Sequence, residues 1–142
     1  MTLESVQASA KCLCGSVTAT ANTINPSYTV CHCQMCRTWG GSPLMAVQCG
    51  TDVSFEGAQF IKEFDSSDWA KRGFCSNCGT HLYYRLKATN SYNMPLGLFT
   101  ELDNVEMTMQ YFIDKKPSHY CFSGETKVMT EEEIFAYFSA QM

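Results

Sequence analysis

Seven of the nine cysteines lie in three tight clusters: Cys12-Leu13-Cys14, Cys31-His32-Cys33-Gln34-Met35-Cys36 and Cys75-Ser76-Asn77-Cys78. An odd number cannot pair completely within one chain, and 142 residues can bury a core without disulfide staples. Clusters of soft thiolate donors point instead to metal. If each cluster stays intact, the two pairs join into a four-sulfur site and the triple forms a three-sulfur site. The other division, five ligands and two, fits no tetrahedral ion.

Four thiolates at ~2.3 Å make a closed structural zinc site, whereas three protein ligands keep a position for water or substrate. Zinc is the default reading, two ions per chain, although four sulfurs also suit mononuclear iron. Gly15 and Gly79 directly follow Cys14 and Cys78, and glycine there lets the chain turn so that amides face sulfur. Joining residues 12–14 to 75–78 closes a loop of about 60 residues, which makes metal binding part of folding. Three thiolates leave Zn²⁺ a weak Lewis acid and a poor source of hydroxide, but well suited to holding a further thiol as thiolate. The alternative is a second structural zinc closed by His32, His81, His119, Cys49 or Cys121. Otherwise Cys49 and Cys121 read as small buried hydrophobes. A zinc deaminase is excluded, because Gln34 and Tyr83 stand where its glutamate would follow His32 or His81.

The remaining sequence predicts one mainly β domain over residues 1–142. Short segments rich in Val, Ile, Tyr, Phe and Thr predict strands at Ser16 to Thr20, Tyr28 to Cys33, Leu44 to Cys49, Gln59 to Phe64, Thr80 to Leu86, Met94 to Phe99 and Met107 to Ile113. Gly, Ser, Pro and Asp predict loops over Gln34 to Pro43 and Asp65 to Gly73. One short C-terminal helix follows a Thr130/Glu133 capping box, with Ile134, Phe135, Tyr137 and Phe138 as its apolar face. The net charge of −4 argues against a nucleic acid partner. Ile134 to Phe138 is the longest apolar run, too short to cross a membrane. Met1 to Ala10, with Glu4 and no basic start, does not read as a signal, so a cytoplasmic protein is expected.

Three stretches resemble the glutathione-dependent formaldehyde-activating enzyme family, whose domain is shared with centromere protein V. They are Lys11-Cys12-Leu13-Cys14-Gly15-Ser16-Val17, Cys31-His32-Cys33-Gln34-Met35-Cys36-Arg37 and Arg72-Gly73-Phe74-Cys75-Ser76-Asn77-Cys78-Gly79-Thr80. The stretch from Tyr111 to Tyr120, with Asp114, Lys116 and Pro117, is similar to the family's last core strand and its turn. The resemblance spans about Lys11 to Phe122 and implies a β-tent, stacked antiparallel sheets with zinc at the joints. It implies that Cys12, Cys14, Cys75 and Cys78 hold a structural zinc, and Cys31, Cys33 and Cys36 a catalytic one. The implied activity is that of a carbon–sulfur lyase, joining glutathione and formaldehyde into S-hydroxymethylglutathione or reversing that reaction. The expected partner is a small thiol or thiol–aldehyde adduct, with glutathione as the family's thiol. Arg37, Trp39 and Arg72 are candidates for holding a carboxylate-bearing thiol or an aldehyde, and His81 for reaching an aldehyde oxygen. The alternative is a noncatalytic zinc scaffold or protein-interaction module, as the centromere relative suggests.

Overall fold

Strand-forming segments punctuated by turns produce, in chain order, β1 (Val6–Lys11), β2 (Thr18–Ile24), β3 (Ser27–Cys31), α1 (Gln34–Gly40), β4 (Leu44–Gly50), β5 (Val53–Glu56), β6 (Ile61–Asp65), β7 (Ala70–Cys75), β8 (His81–Leu86), β9 (Tyr92–Pro95), β10 (Glu106–Tyr111), β11 (Lys127–Met129) and α2 (Glu131–Gln141). These come from a computed structural model that describes residues 5–141; the reading of Met1 and Glu4 as free of a signal lies outside them. The strands form a three-stranded sheet, β1-β2-β5, and an eight-stranded sheet, β11-β10-β3-β4-β9-β8-β7-β6.

The mainly β architecture agrees with the sequence. Period-two alternation places Ala19 and Ala21 of β2 inward, with Ile24 buried at the strand's end, and one core cluster joins them to Val47, Cys49, Leu82, Tyr83 and Met94 of the larger sheet. Small inward residues on β2 allow the sheets to approach closely, which is why Cys49 is wholly buried in this layer. The approach of Gly57, just after β5, to the β1–β2 turn has no slack. Gly57 has φ +79°, and an added Cβ would lie 1.8 Å from the backbone oxygen of Ser16. Gly57→Ala is expected to cost about 1–3 kcal/mol through strain and overpacking, read as a lower urea midpoint with an unchanged slope.

Several local expectations need correction. Gln34 to Pro43 is not all loop, since its first part is α1. Cys33 caps this helix, its Sγ accepting from Cys36 N at 3.3 Å, and Gly41 at φ +85° closes it with a bond from its N–H to the Arg37 carbonyl. The glycines that read as loop are the stop signal, and a cysteine is not an obvious start signal. Asp65 to Gly73 likewise contains the end of β6 and the start of β7, leaving only residues 66–69 as a turn. The polar Lys71-Arg72 pair disguised a strand buried at Ala70, Arg72 and Gly73. Strands β1, β5 and β11 lie outside the segments the sequence predicts as strands. Not every pairing is antiparallel: β10 runs parallel to both β3 and β11, as its long return connections permit.

The C-terminal helix forms as expected. Thr130 N donates to Glu133 Oε1 at 2.9 Å and Glu133 N donates to Thr130 Oγ1 at 3.2 Å, a reciprocal capping box. Of its apolar face, Ile134 is buried and Phe135 packs on Trp69 and Phe112, but Tyr137 remains exposed.

Candidate metal centres

Two hairpin turns build the first cluster. Cys12 and Cys14 lie in the β1–β2 turn, where the N–H of Gly15 donates to the Cys12 carbonyl at 3.0 Å. Cys75 and Cys78 begin the β7–β8 turn, where Gly79 N–H donates to the Cys75 carbonyl at 2.7 Å. Gly15 and Gly79 have φ near +80°, the left-handed geometry expected of them. The four sulfurs lie within 4.8 Å of one another, with Cys12 to Cys14 at 3.6 Å and Cys14 to Cys75 at 3.8 Å. Tetrahedral bonds of ~2.3 Å place sulfurs ~3.8 Å apart, so these residues fit a zinc-sized ion. Val17 N donates to Cys12 Sγ at 3.3 Å. Ser16 Oγ lies 3.2 Å from Cys14 Sγ and Thr80 Oγ1 lies 3.1 Å from Cys78 Sγ. Hydrogen bonding to Ser16 lowers the Cys14 pKa to about 7, and hydrogen bonding to Thr80 lowers that of Cys78 to about 5. Both shifts favour the thiolates a metal requires.

The second cluster sits where β3 passes into α1. Cys31 ends the strand, Cys33 caps the helix and Cys36 lies in its first turn, with the three sulfurs within 4.8 Å of one another. Hydrogen bonds with Cys31 and Cys36 pull the Cys33 thiol well below its ordinary range, while its bond with Cys33 pushes Cys31 well above. Crowded sulfurs that can share few protons are a donor set for a cation. Among the described residues, no further Cys, His, Asp or Glu donor completes this group.

Geometry disposes of particular fourth ligands. His32 is fully buried, but its Nδ1 meets Tyr120 Oη at 2.7 Å and its Nε2 meets Gln110 Oε1 at 2.8 Å. Gln110 Nε2 in turn donates to Thr126 Oγ1 at 2.9 Å, so His32 anchors the strand-to-helix junction rather than serving an ion. Cys49 belongs to the core as expected, where burial raises its pKa to about 12, but Cys121, expected to be buried, is exposed, as is His119. Gln110 and Tyr120 escaped the sequence reading because nothing local marks a long-range partner of histidine.

Trp39, Arg72 and His81 gather beside the triple cluster. Arg72 Nη2 donates to Cys36 Sγ at 3.4 Å, and its guanidinium carbon lies 5.9 Å from the Trp39 ring centre and 5.0 Å from that of Tyr84. His81 meets the same indole edge-on at 5.0 Å. Tyr84, which no motif indicated, is held by a 2.9 Å bond from Trp69 Nε1. Arg37 stands apart. Its Nε donates to the His32 carbonyl at 2.9 Å and its Nη2 to Gln34 Oε1 at 3.0 Å, on the wall of a separate cleft of about 450 Å³ with Ser42, His119 and Tyr120.

Burial lowers the His81 pKa to about 4, with the Arg72 charge contributing. The folded state therefore prefers neutral imidazole, and the contribution of His81 to stability is full above about pH 6.5. It falls by about 1.4 kcal/mol per pH unit as pH drops from 6.5 toward 4. The difference between wild-type and His81→Phe denaturation curves across this range should show that slope disappearing in the variant.

A small and a large sheet, whose turns meet at a four-cysteine cluster, and a three-cysteine cluster at a strand end define a mainly β protein with two candidate metal centres. A sequence model of the glutathione-dependent formaldehyde-activating enzyme family matches residues 7–115, and the chain belongs to that family. It is 36% identical over 124 residues to a protein of Schizosaccharomyces pombe named an uncharacterized lyase, an alignment covering 87% of this chain and 90% of that one. A crystal structure of a Rhodobacter sphaeroides protein shares the fold with a TM-score of 0.58 at 22% identity, over 70% of this chain and 99% of that chain.

Proposed function

We propose that this protein is a zinc-dependent carbon–sulfur lyase acting on a thiol–aldehyde adduct of the S-hydroxymethylglutathione kind or on a related thioether. The carrying observation is the three-cysteine group that no further donor completes among the described residues. Family membership and the lyase-named relative support the reaction class.

In this reading Cys12, Cys14, Cys75 and Cys78 hold a structural zinc, and Cys31, Cys33 and Cys36 a catalytic one. Bound there, zinc would supply a place where a thiol is kept as thiolate near neutral pH. Trp39, which meets Arg72 and His81 beside the cluster, also stacks on the largely exposed Phe64 at 6.3 Å. Arg72 directs positive charge toward the sulfurs. In cleavage the carbon–sulfur bond breaks with its electron pair going to sulfur, the adduct hydroxyl gives its proton to solvent, and the aldehyde carbonyl forms. Holding the adduct in one orientation is the protein's contribution. The proposed setting is the cytoplasm, where thiols stay reduced, and no helix of the described residues is long and apolar enough to cross a membrane. The net charge of −4 supports a small-molecule partner over nucleic acid.

The test compares the exchange rate of glutathione and formaldehyde with their adduct by NMR, with zinc-loaded protein, metal-stripped protein and none. Acceleration by the loaded protein alone is expected. No acceleration with this or any other small thiol would leave the noncatalytic scaffold.

A further inference from the structure

Beside the three-cysteine centre lies a buried cation that its neighbours do not satisfy. Arg72 is 2% exposed, and among the described residues its guanidinium makes one hydrogen bond, from Nη2 to Cys36 Sγ. Among the described residues its Nε and Nη1 have no partner, nor has the buried Nε2 of His81. Such groups are costly unless something polar completes them. Trp39 and Tyr84 pack against the guanidinium, and His81 abuts the same indole. We propose that Arg72 and His81 form an oxygen-binding subsite, taking the hydroxyl or carbonyl oxygen on the carbon that carries the substrate's sulfur; this rests on the lyase reading above.

Three arguments select that oxygen. The guanidinium is rigid and planar, so one nitrogen fixed on Cys36 places the others one guanidinium width from the cluster. An oxygen attached to the sulfur-bearing carbon falls in that range, whereas a carboxylate farther along a tripeptide does not. When thiolate adds to an aldehyde, a carbon–sulfur bond forms, the carbonyl π bond opens and negative charge passes from sulfur to oxygen, which then takes a proton from water. Arg72 spans both ends of that transfer, the arrangement in which fixed donors stabilise developing charge most. His81, uncharged at neutral pH because burial lowers its pKa to about 4, can meet the same oxygen without adding charge.

Formate, a one-carbon oxyanion, is the probe. Calorimetric titration of the zinc-loaded full chain should show binding to wild type. Arg72→Met and Arg72→Lys should each weaken it about tenfold or more, and His81→Phe severalfold, with zinc content and melting midpoint retained. Lysine fails in this expectation because a point charge cannot hold Cys36 and present two further in-plane donors. Formate affinity indifferent to Arg72→Lys and His81→Phe would overturn the subsite, including when Arg72→Met does not fold. Loss of the triple-cluster ion in the Arg72 variants would also overturn it, by showing that Arg72 only supports Cys36. Formate binding that depends on Arg72 without adduct turnover overturns the lyase reading alone. Turnover with formate binding indifferent to both residues overturns the subsite alone.

Discussion

Cys14→Ser and Cys78→Ser are each expected to abolish the cooperative melting transition near physiological temperature and to remove one metal ion. The cluster ties the β1–β2 turn of the small sheet to the β7–β8 turn of the large one, with Cys14 and Cys75 61 residues apart in sequence. Structural zinc contributes ~10–16 kcal/mol in small zinc domains, while a whole domain is stable by only ~5–15 kcal/mol. Losing the ion therefore removes most or all of the margin. Cys14 is the more informative position because it is exposed, so serine there creates no cavity and buries no hydroxyl. Circular dichroism melting together with zinc measured by atomic emission checks the result. A variant melting like wild type would show that the sheets are held by the Ala21, Ile24, Val47 and Met94 core alone.

Cys33→Ser should have the opposite character: the fold persists, one ion is lost, and adduct exchange falls by at least about 100-fold, toward the uncatalysed rate. Serine is among the best helix N-caps, so the bond that Cys33 Sγ now accepts from Cys36 N is replaced rather than lost. The His32 anchor to Tyr120 and Gln110 is untouched. What disappears is a soft thiolate donor. Full activity in this variant would sink the assignment of the triple cluster as the reacting centre.

These two substitutions separate the clusters along the line that the spacing of cysteines suggested. Cys12 and Cys14 with a following glycine, and Cys75 and Cys78 with another, are short-range patterns, and turn geometry at that range depends on few residues. The same is true of the Thr130/Glu133 capping box, whose two reciprocal bonds both form. Where the sequence misled, a residue's local signal was overridden from a distance. Lys71 and Arg72 read as a polar loop, yet β7 pairs with β6 and β8 on both sides and draws Arg72 inward. Gly40, Gly41 and Pro43 read as loop, yet they end a helix begun by a cysteine cap.

Cysteine spacing alone marked two pairs and a triple as candidate donor groups, because thiols a few residues apart are held together by the reach of the chain; coordination number suggested the division into four and three, and the fold brings the two pairs, 61 residues apart, together. The sequence also established strand-rich structure, through composition and alternation. Only the tertiary structure decided what surrounds the triple cluster. Arg72 and His81 come from neighbouring strands, Trp39 from α1, and Gln110 and Tyr120 from beyond residue 100. Their meeting depends on strand register and on which face of each strand is buried, and both are set by long-range pairing rather than by neighbours in sequence.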